Sequence, residues 1–135
     1  MPRLHMPPPA RAALALALAS TLAGSVAACG RTIRVGGSRA VRIALSEYRV
    51  TPDTVRAYAG TLTITVRNTG VRTHDLAISQ GSHNVTQSPD LMAGQTTILT
   101  VNLAPGRYML RSTITGDQAL GLWGTLDVVA THRRS

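Results

Sequence analysis

The sequence predicts an all-β sandwich of about seven or eight strands, and three observations predict it. Across residues 41–130, apolar side chains recur at every second position in short runs. Turn-forming pairs punctuate those runs. No segment there carries the 3.6-residue period of an amphipathic helix.

Taken in chain order, Val41, Ile43 and Leu45 open the pattern. Leu62, Ile64 and Val66 then alternate with Thr61, Thr63, Thr65 and Arg67, which describes a strand with one face buried. Leu99, Val101 and Leu103 alternate with Thr100 and Asn102, and Leu126 and Val128 close the series. Between them stand Pro52-Asp53, Ala59-Gly60, Asn68-Thr69-Gly70, Ala93-Gly94 and Pro105-Gly106, residues that favour turns by fixing φ or tolerating positive φ. A domain of roughly 90 residues buries something over 60% of its unfolded surface, enough for one core.

What precedes the domain reads as a targeting segment. "MPRLHMPPPAR" carries two positive charges, and "AALALALASTLAG" follows as an apolar core. That core falls short of the ~20 residues needed to span a bilayer and fits a secretory signal peptide over residues 1–28. "VAAC", residues 26–29, resembles the lipobox of bacterial lipoproteins, with an aliphatic residue, two small ones and then the lipidated Cys. The resemblance implies a lipid on Cys29, a membrane anchor, and a place on the extracytoplasmic face of a bacterial cell membrane. Cys29 is the only Cys, so no intramolecular disulfide supports the fold. Residues 29–40, rich in Gly and Arg, are expected to form a flexible tether that lets the domain stand off the surface at about 3.3 Å per residue. Residues 131–135 form a basic tail.

Net charge is +8, and all 14 basic residues are Arg. They are spread along the chain and aromatic residues are scarce, so the stacking platforms of a nucleic-acid binder are missing and no nucleic-acid partner is expected. Diffuse attraction to anionic lipid head groups suits this charge better.

The order of pieces resembles the cupredoxin family. "EYRVTPDTVRAYAGTLTITVRNTGVRTHDLAI" is similar to that family's first half, whose "H-[DN]-[LF]" supplies the first copper ligand. "LMAGQTTILTVNLAPGRYMLRSTITGDQALGLWGTLDVV" is similar to the second half, with a "pG-x-Y-x-[FY]-x-C" strand, a ligand loop and "G-x-L-x-V". The resemblance implies a Greek-key sandwich of cupredoxin type. It also assigns positions: His74 matches the first histidine ligand, Ser112 stands at the thiolate, Asp117 at the second histidine and Leu122 at the axial methionine. Asp75 and Thr113 fall where the family ties its ligand loops together by hydrogen bonds.

Those substitutions decide the chemistry. A type 1 copper site needs two histidines and a thiolate, with a weak axial group. Serine is not ionised at neutral pH, leucine has no donor atom, and aspartate disfavours Cu(I). The expectation is a degenerate site with no cofactor, in which Ser112 and Asp117 hydrogen-bond with His74. The implied role is a binding or scaffolding module for an unidentified protein or small ligand. The rival is a copper or other metal carrier using His74 with His83, Met92 and Met109. His83 falls in a polar loop, Met92 beside a turn, and Met109 on an outward position, so no spacing motif supports that rival. The chain is not expected to be an enzyme, since neither a "GxSxG" elbow nor an oxyanion signature accompanies the His/Asp/Ser trio. Tyr108 is expected in the core, and Trp123 is expected to pack as a plug over the site more than as an exposed anchor. Arg72 and Arg111 make the site end basic.

Overall fold

The computed structural model describes residues 30–131, together with Arg3 on its own. The rest of the segment expected to be a signal peptide, Cys29, and the basic tail from residue 132 onward lie outside the described residues. Ten strands form two sheets: β1 (Thr32–Arg34), β2 (Ala40–Ser46), β3 (Arg49–Thr51), β4 (Thr54–Tyr58), β5 (Gly60–Asn68), β6 (Ala77–Gln80), β7 (His83–Gln87), β8 (Thr96–Leu103), β9 (Gly106–Arg111) and β10 (Trp123–Val129). Among the described residues no helix is long and apolar enough to cross a membrane.

One sheet has six strands in the order β1-β4-β10-β9-β6-β7, the other four in the order β3-β2-β5-β8. β4 runs parallel to β1 and β10, and β2 parallel to β5; the remaining pairs are antiparallel. Alternation on the long strands turns one row of side chains inward from each sheet. Val41, Ile43, Leu45, Leu62, Ile64, Val66, Leu99, Val101 and Leu103 meet Val55, Ile78, Tyr108, Leu110, Leu126 and Val128 in a single core. The alternating runs read from the sequence are thus the walls of the sandwich. Tyr108 packs among them, its hydroxyl donating to the Ala104 carbonyl at 2.8 Å.

Three features depart from the sequence reading. The strand count is ten, because short pieces such as β1, β3 and β7 add to the longer runs. Residues 32–34 are not a free tether: β1 pairs with β4, Val35 is buried, and the Val35 amide donates to the Arg56 carbonyl at 2.8 Å. Three residues are too few to show an apolar period, and a parallel partner 22 positions further on leaves no local signal. The supposed polar loop around His83 is instead a hairpin whose second strand is β7, an edge strand that is polar apart from the half-buried Val85. Edge strands of that composition resist further pairing and look like loop in sequence.

Candidate functional site

Four connections meet at one end of the sandwich, and His74 is where they meet. It sits between β5 and β6, fully buried, paired backbone to backbone with Leu91 from the β7–β8 connection. Its Nδ1 lies 2.8 Å from Oδ2 of Asp117 on the β9–β10 loop. Its Nε2 lies 3.0 Å from Oε1 of Glu47 in the β2–β3 turn. An imidazolium donates to both carboxylates; a neutral ring donates to one and turns a lone pair on the other.

Ser112 continues the network. Its hydroxyl lies 2.8 Å from the same Asp117 oxygen and 2.7 Å from Oδ1 of Asp75. Asp75 is buried and also accepts from the Thr113 amide at 2.7 Å, from the Thr113 hydroxyl, and from the Gln87 amide at 2.9 Å. Burial pushes the Asp75 carboxyl up, but the bonds from Thr113, Ser112 and Gln87 outweigh it and hold the group below the ordinary carboxylate range. Glu47 is likewise held low, first by the Arg72 amide against the opposing desolvation, then by His74 and the Val71 amide. These two amides reach Oε1 of Glu47 at 2.7 and 2.9 Å.

The loop that presents Asp117 is wound by its own backbone. The Leu122 amide donates to the Asp117 carbonyl at 3.0 Å and Leu120 donates to Gly116 at 3.1 Å. Gly121 has φ +116°, and a Cβ there would stand 3.0 Å from the Tyr48 carbonyl, so this close approach to the β2–β3 turn favours glycine. Leu122 then points into the core with no exposure at all.

The structure therefore brings His74, Asp75, Ser112, Thr113 and Asp117 into one hydrogen-bonded cluster and places Leu122 beneath it as apolar packing. It does not bring His83, Met92 or Met109 to His74. His83 is exposed on β7, and Met92 and Met109 are exposed in a turn and on the outer face of β9. Among the described residues no group of three or more His, Cys, Asp or Glu side chains is disposed to hold a metal. The donor set does not fit type 1 copper: both ring nitrogens of His74 face carboxylates, Ser112 replaces a thiolate, and Leu122 offers no lone pair. Trp123 is a correction to the expected plug. It is 51% exposed and borders the shallow cavities on the outer face beside Met109 and Arg111.

Sequence reasoning missed Glu47 and Gln87. Glu47 is the only Glu in the chain and lies in a turn between two strands, but nothing in the sequence couples it to a histidine 27 positions on. Gln87 lies on the hairpin misread as loop, and bridges Asp75 and Thr113 from there.

No protein-family profile matches the sequence, and no curated protein matches it either. Solved structures do. The chain is similar to the reduced auracyanin of the photosynthetic bacterium Roseiflexus castenholzii, with a TM-score of 0.65 at 21% identity over 70% of this chain and 99% of that one. It is similar to auracyanin A, a "blue" copper protein from Chloroflexus aurantiacus, with a TM-score of 0.62 at 20% identity over 72% and 100%. Rusticyanin from Thiobacillus ferrooxidans superposes with a TM-score of 0.61 at 18% identity over 73% and 82%. At these identities the likeness establishes the cupredoxin fold.

Proposed function

We propose that this chain is a lipid-anchored extracytoplasmic domain of cupredoxin fold that works as a binding or scaffolding module, with a polar network where its structural neighbours' fold carries copper. Cys29 is the anchor and the extracytoplasmic face of the cell membrane the location, both read from the "VAAC" that ends the apolar segment. One observation carries the reading of the site: His74 has a carboxylate against each ring nitrogen, at 2.8 and 3.0 Å. A metal at His74 would have to take the place of its hydrogen bond to Asp117 or to Glu47. The network ties the β2–β3, β5–β6 and β9–β10 connections together through hydrogen bonds, and so sets the shape of that end without an ion.

Melting curves of native and His74→Ala protein, each with and without Cu(I), test this. Expected is no copper-induced rise in Tm for the native protein, and a destabilisation of about 1–3 kcal/mol for the variant because Asp117 and Glu47 lose a partner. A rise seen in the native protein and absent from the variant would show a working metal site and sink the proposal. The triple change Ser112→Cys, Asp117→His, Leu122→Met supplies the missing ligands on the same loop. It is expected to yield the intense visible band of a thiolate–copper site, and the native chain is expected to give none.

The anchor has its own test. Cys29→Ala is expected to release the protein from the membrane fraction or leave it as an uncleaved precursor. Normal processing and membrane retention of the variant would remove the lipoprotein reading.

A further inference from the structure

We infer that the end of the domain bearing the His74 network is its membrane-facing end, and that its exposed loops dock on an anionic lipid surface. The inference deepens the binding-module reading by naming the class of partner, and it rests on that reading for the anchor at Cys29.

Where the chain enters the fold is the first observation. Gly30 follows Cys29 directly, and a Cβ at Gly30 would stand 2.7 Å from the Asp53 carboxylate. The Asp53 carbonyl in turn accepts from the Thr125 amide at 2.7 Å, and a Cβ on Gly124 would come within 2.5 Å of it. Asp53 shares a cavity wall with Tyr48, Gly121 and Trp123. The register Thr32↔Thr54↔Thr125 puts the starts of β1, β4 and β10 at the same end of the sheet, with β4 between the other two. A lipid on residue 29 is thus separated from β1 by two residues, and it leaves the fold at the end where the β2–β3 turn and the β9–β10 loop meet. Two extended residues reach roughly 7 Å. That span keeps this end close to the head groups, in place of the long stand-off a free tether would allow.

The surface at that end is the second observation. Val71 is 85% exposed, Met92 61%, Leu120 60% and Trp123 51%, one from each of three of the four connections at His74 and one from the first residue of β10. Arg31, Arg49 and Arg72 are exposed among them, and Arg111 stands opposite Trp123 across the β9–β10 pair. Apolar loop tips ringed by arginine suit the boundary between acyl chains and anionic head groups, and a tryptophan suits that depth.

Charge bookkeeping at this end is the third. Asp75 and Asp117 are buried in the network, and Glu47 is bound to His74 and to two backbone amides. Asp90 is exposed beside Leu91, Glu47 is itself exposed, and Asp53 is half-buried. The network therefore draws two of the five carboxylates at this end inward and ties a third, Glu47, to His74, which leaves Asp53 and Asp90 against the exposed Arg31, Arg49 and Arg72. The opposite end exposes Tyr58 and Val129, and the row Arg34, Arg56, Asp127, Arg107 crosses the outer face of the six-stranded sheet; that face is the competing surface.

Trp123 is the only Trp in the chain, so its fluorescence reports on this end alone. Both sheets and the core of the described residues are built within residues 30–131, so a chain beginning at Gly30 keeps every strand of them and carries no lipid. Mixed with phosphatidylcholine vesicles containing phosphatidylglycerol, it is expected to cosediment. Its Trp123 emission is expected to shift to the blue and to be quenched by brominated acyl chains, and pure phosphatidylcholine is expected to do neither. The double variant Arg49→Gln, Arg72→Gln is expected to weaken binding by about fivefold per arginine, whereas Arg34→Gln with Arg56→Gln leaves it unchanged. Binding that leaves Trp123 in water, or that depends on Arg34 and Arg56 instead, overturns the orientation. No preference for the anionic vesicles overturns the lipid partner and returns this end to a protein. Since Cys29 is absent from the vesicle assay, its outcome is independent of the Cys29→Ala fractionation that tests the anchor.

Discussion

The middle of the sandwich and its His74 end are both closed to water, and they are closed by opposite means. Between the sheets, Ile64, Leu110 and Leu126 meet as apolar side chains at 0–1% exposure. Such packing is non-directional and tolerates exchange of shape for shape. At the other end His74, Asp75, Ser112 and Asp117 are at least as hidden as many core residues, yet each is held by a specific partner at 2.7–2.8 Å. Buried polar groups must all be satisfied at once, so this end specifies an arrangement where the middle supplies mainly cohesion. The contrast teaches why one end can carry a loop geometry precise enough for a function while the rest is scaffold.

The largest test of the contrast lies in the middle. Leu110→Ala removes a fully buried side chain, and a loss of about 2–5 kcal/mol is expected from urea unfolding, because lost transfer energy and the residual cavity add. A loss no larger than that of an exposed site would mean the core is not packed as described.

Asp117→Ala comes next. It strips both His74 and Ser112 of the oxygen they share, and a loss of about 1–3 kcal/mol is expected. The sharper readout is coupling. Combined with Ser112→Ala, the two changes should cost less than their sum, whereas Leu110→Ala and Asp117→Ala should add. Additive behaviour of Asp117 with Ser112 would dissolve the network into independent contacts.

A smaller effect is expected in acid. Asp75 is held below its unfolded value of about 3.9, so its stabilisation is complete above that pH and disappears as pH falls through the folded value. Asp75→Asn removes this dependence, and its unfolding free energy should fall less steeply than the native protein's from pH ~5 downward. Equal slopes would place the acid sensitivity elsewhere.

The smallest effect belongs to the solvent-facing ion pair of Arg107 with Asp127 at 2.9 Å, whose arginine side chain is 79% exposed. Arg107→Gln is expected to change stability by well under about 1 kcal/mol, and thermal melts in low and high salt should nearly coincide. A loss comparable with that of Asp117→Ala would erase the distinction between a bond closed to water and one open to it.

The fold was legible because its main strands repeat a period of two over several turns of the chain. Val41 to Leu45, Leu62 to Val66, Leu99 to Leu103 and Leu126 to Val128 each declare an inward face, and each is buried as declared. β1 and β7 were illegible for the converse reason. One is three residues long, the other lies at an edge with Val85 as its single apolar residue, and the partners of both are set by pairing across the sheet. At the site, the spacing of Ser112, Asp117 and Leu122 together with "HDL" at residues 74–76 pointed to the right neighbourhood. The burial of Leu122 follows from its apolar side chain. The exposure of Trp123 does not, since its position at the start of β10 faces the outer side of the sheet.

By itself the sequence determined the all-β class, the apolar faces, the turns, the single cysteine and the absence of a thiolate from the domain. Each of these is a property of one residue or of a short local pattern. Only the tertiary structure decided that Glu47 closes the second side of His74, that Gln87 reaches Asp75, that β1 joins the sheet from Thr32 onward, and that Trp123 faces outward. Each of these depends on which distant segments lie side by side. Hydrogen bonds across 27 or 12 positions leave no trace in the spacing of either partner, because their directional demands are met only once the sheets have packed.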